Sequence, residues 1–125
     1  MGLDMSFYHS EKPVHLKDIN ERKVDFEGEE IFYFRRFHDL HDKIFEIYRE
    51  LYNEKVYDNG LYILLEKDLL VKLEEWFYDY LKGVRTGEEF DYPSELVDLE
   101  NFYNLICSMI YRTKHGEYFY YEGDY

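Results

Sequence analysis

Hydrophobic and polar residues alternate from the first positions of the chain. Leu3, Met5 and Phe7 fall on one side of an extended segment, and Asp4, Ser6 and Tyr8 on the other, so GLDMSFYH predicts a strand. The opening MGLDMS also fits an N-myristoylation pattern through Gly2 and Ser6, but its period-two alternation assigns it to a sheet. Residues 10–29 are polar, contain Pro13 and Gly28, and follow no period, which predicts a long loop with room for one turn of helix. EIFYFRR, residues 30–36, is rich in aromatics and predicts a second strand.

The period then changes. Phe37, Leu40, His41, Ile44, Ile47, Tyr48 and Leu51 recur at three- and four-residue steps, the stripe of an amphipathic helix ending near Asn53. YDNG, residues 57–60, predicts a turn, and LYILL a short strand after it. Leu69, Leu70, Leu73, Trp76, Phe77 and Tyr80 define a second helix over residues 67–81, with Gly83 as its expected stop. Residues 83–95, containing Gly87 and Pro93, predict an acidic loop. Leu99, Phe102, Tyr103, Ile106, Met109 and Ile110 mark the inward face of a third helix over residues 94–113, with Arg112 and Lys114 complementing its dipole and Gly116 ending it. In the closing EYFYY, Glu117, Phe119 and Tyr121 face one way, and Tyr118 and Tyr120 the other, where their hydroxyls are expected to stay wet. The expected fold is α+β, one domain over residues 1–125: a small, largely antiparallel sheet including both termini, packed with about three helices.

Composition sharpens this picture. Tyr (15) and Phe (10) are abundant, and aromatics make up 21% of the chain. Disordered acidic chains are poor in aromatics, so the acidity belongs to a folded protein. The net charge is −13 and uneven: residues 86–125 carry 9 acids and 2 bases, or −7 of the total. Such a surface repels nucleic acid and anionic membranes, so neither is an expected partner, whereas a basic protein is favoured. No apolar run approaches the roughly 20 residues of a membrane helix. The single Cys107 excludes an internal disulfide and, within LICSMIY, is expected to be a small buried hydrophobe.

Three segments together resemble a known family. The chain opens MGLDM, continues with YFRRFHDLHDKIF over residues 33–45, and later runs NGLYILLEKDLLVKLEEW before a tyrosine-rich end. This is similar to a family of small bacteriophage and prophage proteins that open with MGLDMY and carry a tract like YWRKANxIHKWF. Gly2, Leu3, Asp4 and Met5 fit the opening, with Ser6 in place of Tyr. Tyr33, Arg35 and His41 fit the tract, with Phe34 for Trp, Arg36 for Lys and Leu40 for Ile, while Asp42 and Lys43 depart from it. The resemblance implies a phage or prophage origin and action in the cytoplasm of an infected bacterium. It implies no particular reaction.

Few residues suggest chemistry. His38 and His41 are three apart, with Asp42 and Glu46 nearby, but a zinc site needs three or four ligands and no further cluster of this kind occurs, so no metal or other cofactor is expected. Arg35 and Arg36 are expected at the start of the first long helix, paired with carboxylates of the same chain; the other reading is a phosphate or carboxylate ligand. Glu74–Glu75 and Glu88–Glu89 are helix or loop neighbours that point apart, and no nucleophile or phosphate-loop motif is present. The expected partner-binding surface joins Glu88, Glu89 and Asp91 of the acidic loop to Glu122 and Asp124 of the last strand, with Tyr120 and Tyr125 at its rim and Phe119 as the strand's anchor. Taken with the resemblance, this predicts a phage-encoded acidic protein that inhibits a host nucleic-acid-binding defence protein, of anti-CRISPR or anti-restriction type, by occluding its basic groove. The alternatives are a small enzyme or metal- or nucleotide-binding protein using Arg35, His38 and His41, and a structural or housekeeping phage protein.

Overall fold

A computed structural model describes residues 2–23, 25–52, 61–87 and 95–124. The fold is α+β. Strands β1 (Asp4–Ser10), β2 (Glu29–Arg35), β3 (Tyr62–Leu64) and β4 (Tyr118–Asp124) form an antiparallel sheet in the order β2-β1-β4-β3, so the two terminal strands are its centre. Helices α2 (His38–Tyr52), α3 (Lys67–Thr86) and α4 (Leu96–Thr113) accompany it, with a short α1 (Leu16–Asn20) in the connection between β1 and β2.

Alternation along the strands decides which residues meet the helices. Met5, Phe7, Phe34, Ile63, Phe119 and Tyr121 share one face and are buried in the main core. Phe102 of α4 centres that core, with ring centroids 4.8 Å from Phe7, 5.0 Å from Phe34 and 5.2 Å from Phe77. Burying each such ring is worth roughly 1.5–3 kcal/mol. The opposite face carries Tyr8, Tyr62 and Tyr120, and it is covered as well. Phe26, from the chain between α1 and β2, stacks on Tyr62 at 4.6 Å and meets Tyr8 and Tyr120 edge-on at 4.9 and 5.5 Å.

Two boundaries differ from the periodic reading. Helix α3 runs through Gly83 to Thr86, and Gly87 supplies the left-handed cap, its φ of 80° placing its N–H on Val84 O at 3.2 Å. Gly83 costs about 1 kcal/mol within a helix, but Leu81 and Val84 carry the apolar stripe past it into the core. Arg35 and Arg36 do not begin a helix: Arg35 ends β2, in line with the strand expected over residues 30–36, and Arg36 (φ 59°) sits between strand and helix with its N–H on Leu3 O. Cys107 is exposed rather than buried, because Leu99, Phe102, Ile106 and Met109 occupy the inward side of α4. The turn expected at residues 57–60 and most of the acidic loop, residues 88–94, lie outside the described residues.

Candidate interaction surface

The expected surface is only partly represented. Glu88, Glu89, Asp91 and Tyr125 lie outside the described residues. Tyr120 is not at a rim: it is 1% exposed, beneath Phe26, and its hydroxyl accepts the Val14 N–H at 2.9 Å. The back of the sheet is roofed by the β1–β2 connection, so this tyrosine is covered where a wet hydroxyl was expected. Glu122, on the same face, is half-buried beside Tyr62, and burial, then the neighbouring Asp124, pushes its carboxyl above the ordinary range. Asp124 is exposed. Phe119 is fully buried, in keeping with an anchoring role.

The histidine tract also resolves. His41 is fully buried, its Nδ1 2.5 Å from the Tyr121 hydroxyl. Gly123 makes room for it, since a Cβ there would lie 2.4 Å from the imidazole ring. His41 is therefore a core residue, while His38 and Arg35 are exposed, and the three do not line one site. Among the described residues no group of three His, Cys, Asp or Glu side chains converges as a metal site would require. Neither Arg35 nor Arg36 forms an ion pair with a described carboxylate, contrary to the expected pairing. The tight acid–base cluster is elsewhere. Arg112 grips Glu117 with two bonds of 2.9 and 2.7 Å, His9 Nε2 lies 2.8 Å from the same carboxylate, and the fork holds Glu117 below the usual carboxylate range.

The antiparallel pairing of α3 with α4 builds a different acidic feature. Glu74 and Tyr78 are one turn apart on α3, as are Glu75 and Asp79, and Tyr103 of α4 faces them across the helix interface. These five residues line a shallow cleft. Tyr103 donates to Glu74 at 2.5 Å, and this bond, with some burial, holds the phenol in its protonated form well above the ordinary range. The Tyr78 ring lies 6.0 Å from that of Tyr103 and is 54% exposed. No described Lys or Arg forms an ion pair with Glu74, Glu75 or Asp79. Sequence reasoning missed this cleft by treating Glu74–Glu75 as divergent neighbours and Tyr103 as wholly inward. The available signal was the pair of i, i+4 relations on α3.

No protein-family model, curated protein or solved structure matches the chain. None of the described helices is long and apolar enough to cross a membrane.

Proposed function

We propose that the protein is a phage-encoded inhibitor that binds a basic, nucleic-acid-binding defence protein of the host cytoplasm, of anti-CRISPR or anti-restriction type, and occludes its groove. The observation that carries this reading is the cleft of Glu74, Glu75, Tyr78, Asp79 and Tyr103. Three carboxylates there have no described cation of their own chain in an ion pair, and two phenol rings stand beside them. A lysine or arginine entering the cleft meets negative charge and an aromatic face together, the combination that favours a cation most as water leaves. The resemblance of MGLDM and YFRRFHDLH to phage and prophage proteins supports the origin and the compartment.

Charge density argues for local docking. A surface of 7832 Å² and a net charge of −13 give about one net charge per 600 Å². Duplex DNA, as a cylinder of about 20 Å diameter, carries about one per 110 Å². Spread evenly, the surface is too dilute to imitate a duplex, so affinity must come from concentrated sites such as this cleft. The test is affinity purification from the host with the wild type and with Glu74→Lys/Glu75→Lys/Asp79→Lys, followed by mass spectrometry. The expected result is a nucleic-acid-binding enzyme that duplex DNA displaces and that the triple variant, folded by circular dichroism, fails to retain. Retention by the variant, or a set of partners indifferent to DNA, sinks the reading.

A further inference from the structure

The two edges of the sheet are treated differently. At β3, the Asn20 side chain closes the edge: its Nδ2 donates to Tyr62 O at 3.1 Å and its Oδ1 accepts the Tyr62 N–H at 2.8 Å. The amide group of Asn20 thus takes the place of one residue of a neighbouring strand. At β2 no described backbone group plays that part. The Arg36 N–H donates to Leu3 O at 2.7 Å. Bonded pairs recur at every second residue of an antiparallel ladder, so Phe34 and Phe32 also turn their backbone groups to β1, and Arg35 and Tyr33 turn theirs outward. A bulge at the Phe7/Tyr8 step makes Ile31 the extra residue, after which Glu30, opposite Tyr8, is the next to face outward. Glu30, Tyr33 and Arg35 are all exposed, Tyr33 by 48%.

We propose that this edge pairs, antiparallel, with β2 of a second copy of the same chain. The charges along β2 are self-complementary. Glu29 and Glu30 stand at its start, Arg35 at its end and Arg36 immediately after. A twofold axis between Ile31 and Phe32 sets the outward groups of Tyr33 opposite those of Glu30 of the second copy, and brings Arg35 diagonally beside that Glu30, twice per dimer. A parallel pairing would instead align acid with acid and base with base. The ladder's backbone hydrogen bonds supply cohesion, and the charge pattern selects direction and register. Each copy carries −13, so association is opposed at long range and strengthens between about 10 and 150 mM salt, as the screening length falls from about 30 to about 8 Å. This pairing does not depend on the partner proposed above, since the cleft lies on α3 and α4.

Sedimentation equilibrium of the full chain, over a concentration series reaching about 1 mM, is the test. The expected wild-type species has twice the 15.5 kDa chain mass. Tyr33→Pro removes an outward N–H that the ladder with β1 does not use, and is expected to give a folded monomer. Arg35→Glu sets like charges across the axis and is expected to weaken association about tenfold, with Glu30→Arg added to it restoring the dimer. A monomer throughout the wild-type series overturns the proposal, as does a dimer untouched by Tyr33→Pro. If Tyr33→Pro fails to fold, the charge-swap pair decides: no loss with Arg35→Glu, or no recovery in the double variant, overturns it equally.

Discussion

Glu122 and Glu117 lie five residues apart, within and just before the last strand, and titrate in opposite directions. Burial first, then the charge of Asp124, raises Glu122 above the ordinary carboxylate value of 4.5. An acid whose folded pKa is raised stabilises the fold fully below its unfolded pKa, and that contribution is lost as pH rises through the folded value. Glu117, gripped first by Arg112, is lowered; its contribution is present above the unfolded value and is lost as pH falls through the folded one. Well above the ordinary carboxylate range, therefore, Glu117 is at full effect, while burial of Glu122 opposes its ionisation and costs stability. Replacing Glu122 by Gln keeps the size and a polar end beside Tyr62 and removes the charge. Glu122→Gln is expected to raise the melting temperature at pH 7 and to leave it nearly unchanged at about pH 4, where the wild-type carboxyl is largely protonated. Thermal melts of both proteins at the two pH values check this. An equal shift at both would show that packing, not ionisation, separates them.

At the scale of elements, the long apolar periods were legible and the structure imposed by side-chain-to-backbone bonds was not. The stripes through Leu40 and Ile44, Leu73 and Phe77, and Phe102 and Ile106 identify α2, α3 and α4, because residues at those spacings must share one face. The alternation of Leu3, Met5 and Phe7 identifies β1 for the same reason, and all three are fully buried. Residues 10–29 have no such period. Their path is set by the Val14 N–H on Tyr120, by the Phe26 ring over Tyr62, and by Asn20 on Tyr62, each a contact with a partner distant in sequence. Asn20 is the most exacting of these, since β3 is only three residues long and this side chain binds its outer edge. Asn20→Ala leaves the Tyr62 N–H and C=O unmatched at that edge and is expected to cost about 1–2 kcal/mol. Hydrogen exchange should localise the effect, with the Tyr62 amide exchanging faster while the amides between β1 and β4 change only as much as global stability does. Uniform acceleration of all strand amides would show that the clamp supports the whole fold rather than one edge.

For the whole molecule, the acid excess was plain in the sequence, but the gathering of three α3 carboxylates into one cleft was not. Glu74, Glu75 and Asp79 acquire a common surface with Tyr103 only when α3 and α4 lie side by side, and no period within either helix reports that contact. The same excess bears on stability. The chain has 28 acids against 15 bases, and ion pairs such as Lys43–Glu46, partly exposed, and Arg85–Glu100 lie at the surface, worth about 0–1 kcal/mol each. Net repulsion among like charges should therefore outweigh them at pH 7. Salt screens the longer-range repulsions more completely than contact pairs, so adding salt from about 10 to 150 mM is expected to raise the melting temperature at neutral pH. Near the isoelectric point of about 4.7 the repulsion vanishes, and the salt dependence should flatten or reverse. Calorimetry over that salt range at the two pH values separates the cases. The monomeric Tyr33→Pro variant serves as a control, so that salt-driven association of the wild type is not mistaken for relief of repulsion within one chain. A melting temperature that falls with salt at pH 7 would mean that paired charges dominate, leaving little uncompensated field to steer a basic partner. A rise would show that the field proposed to draw in that partner is sustained at a measurable cost to the fold.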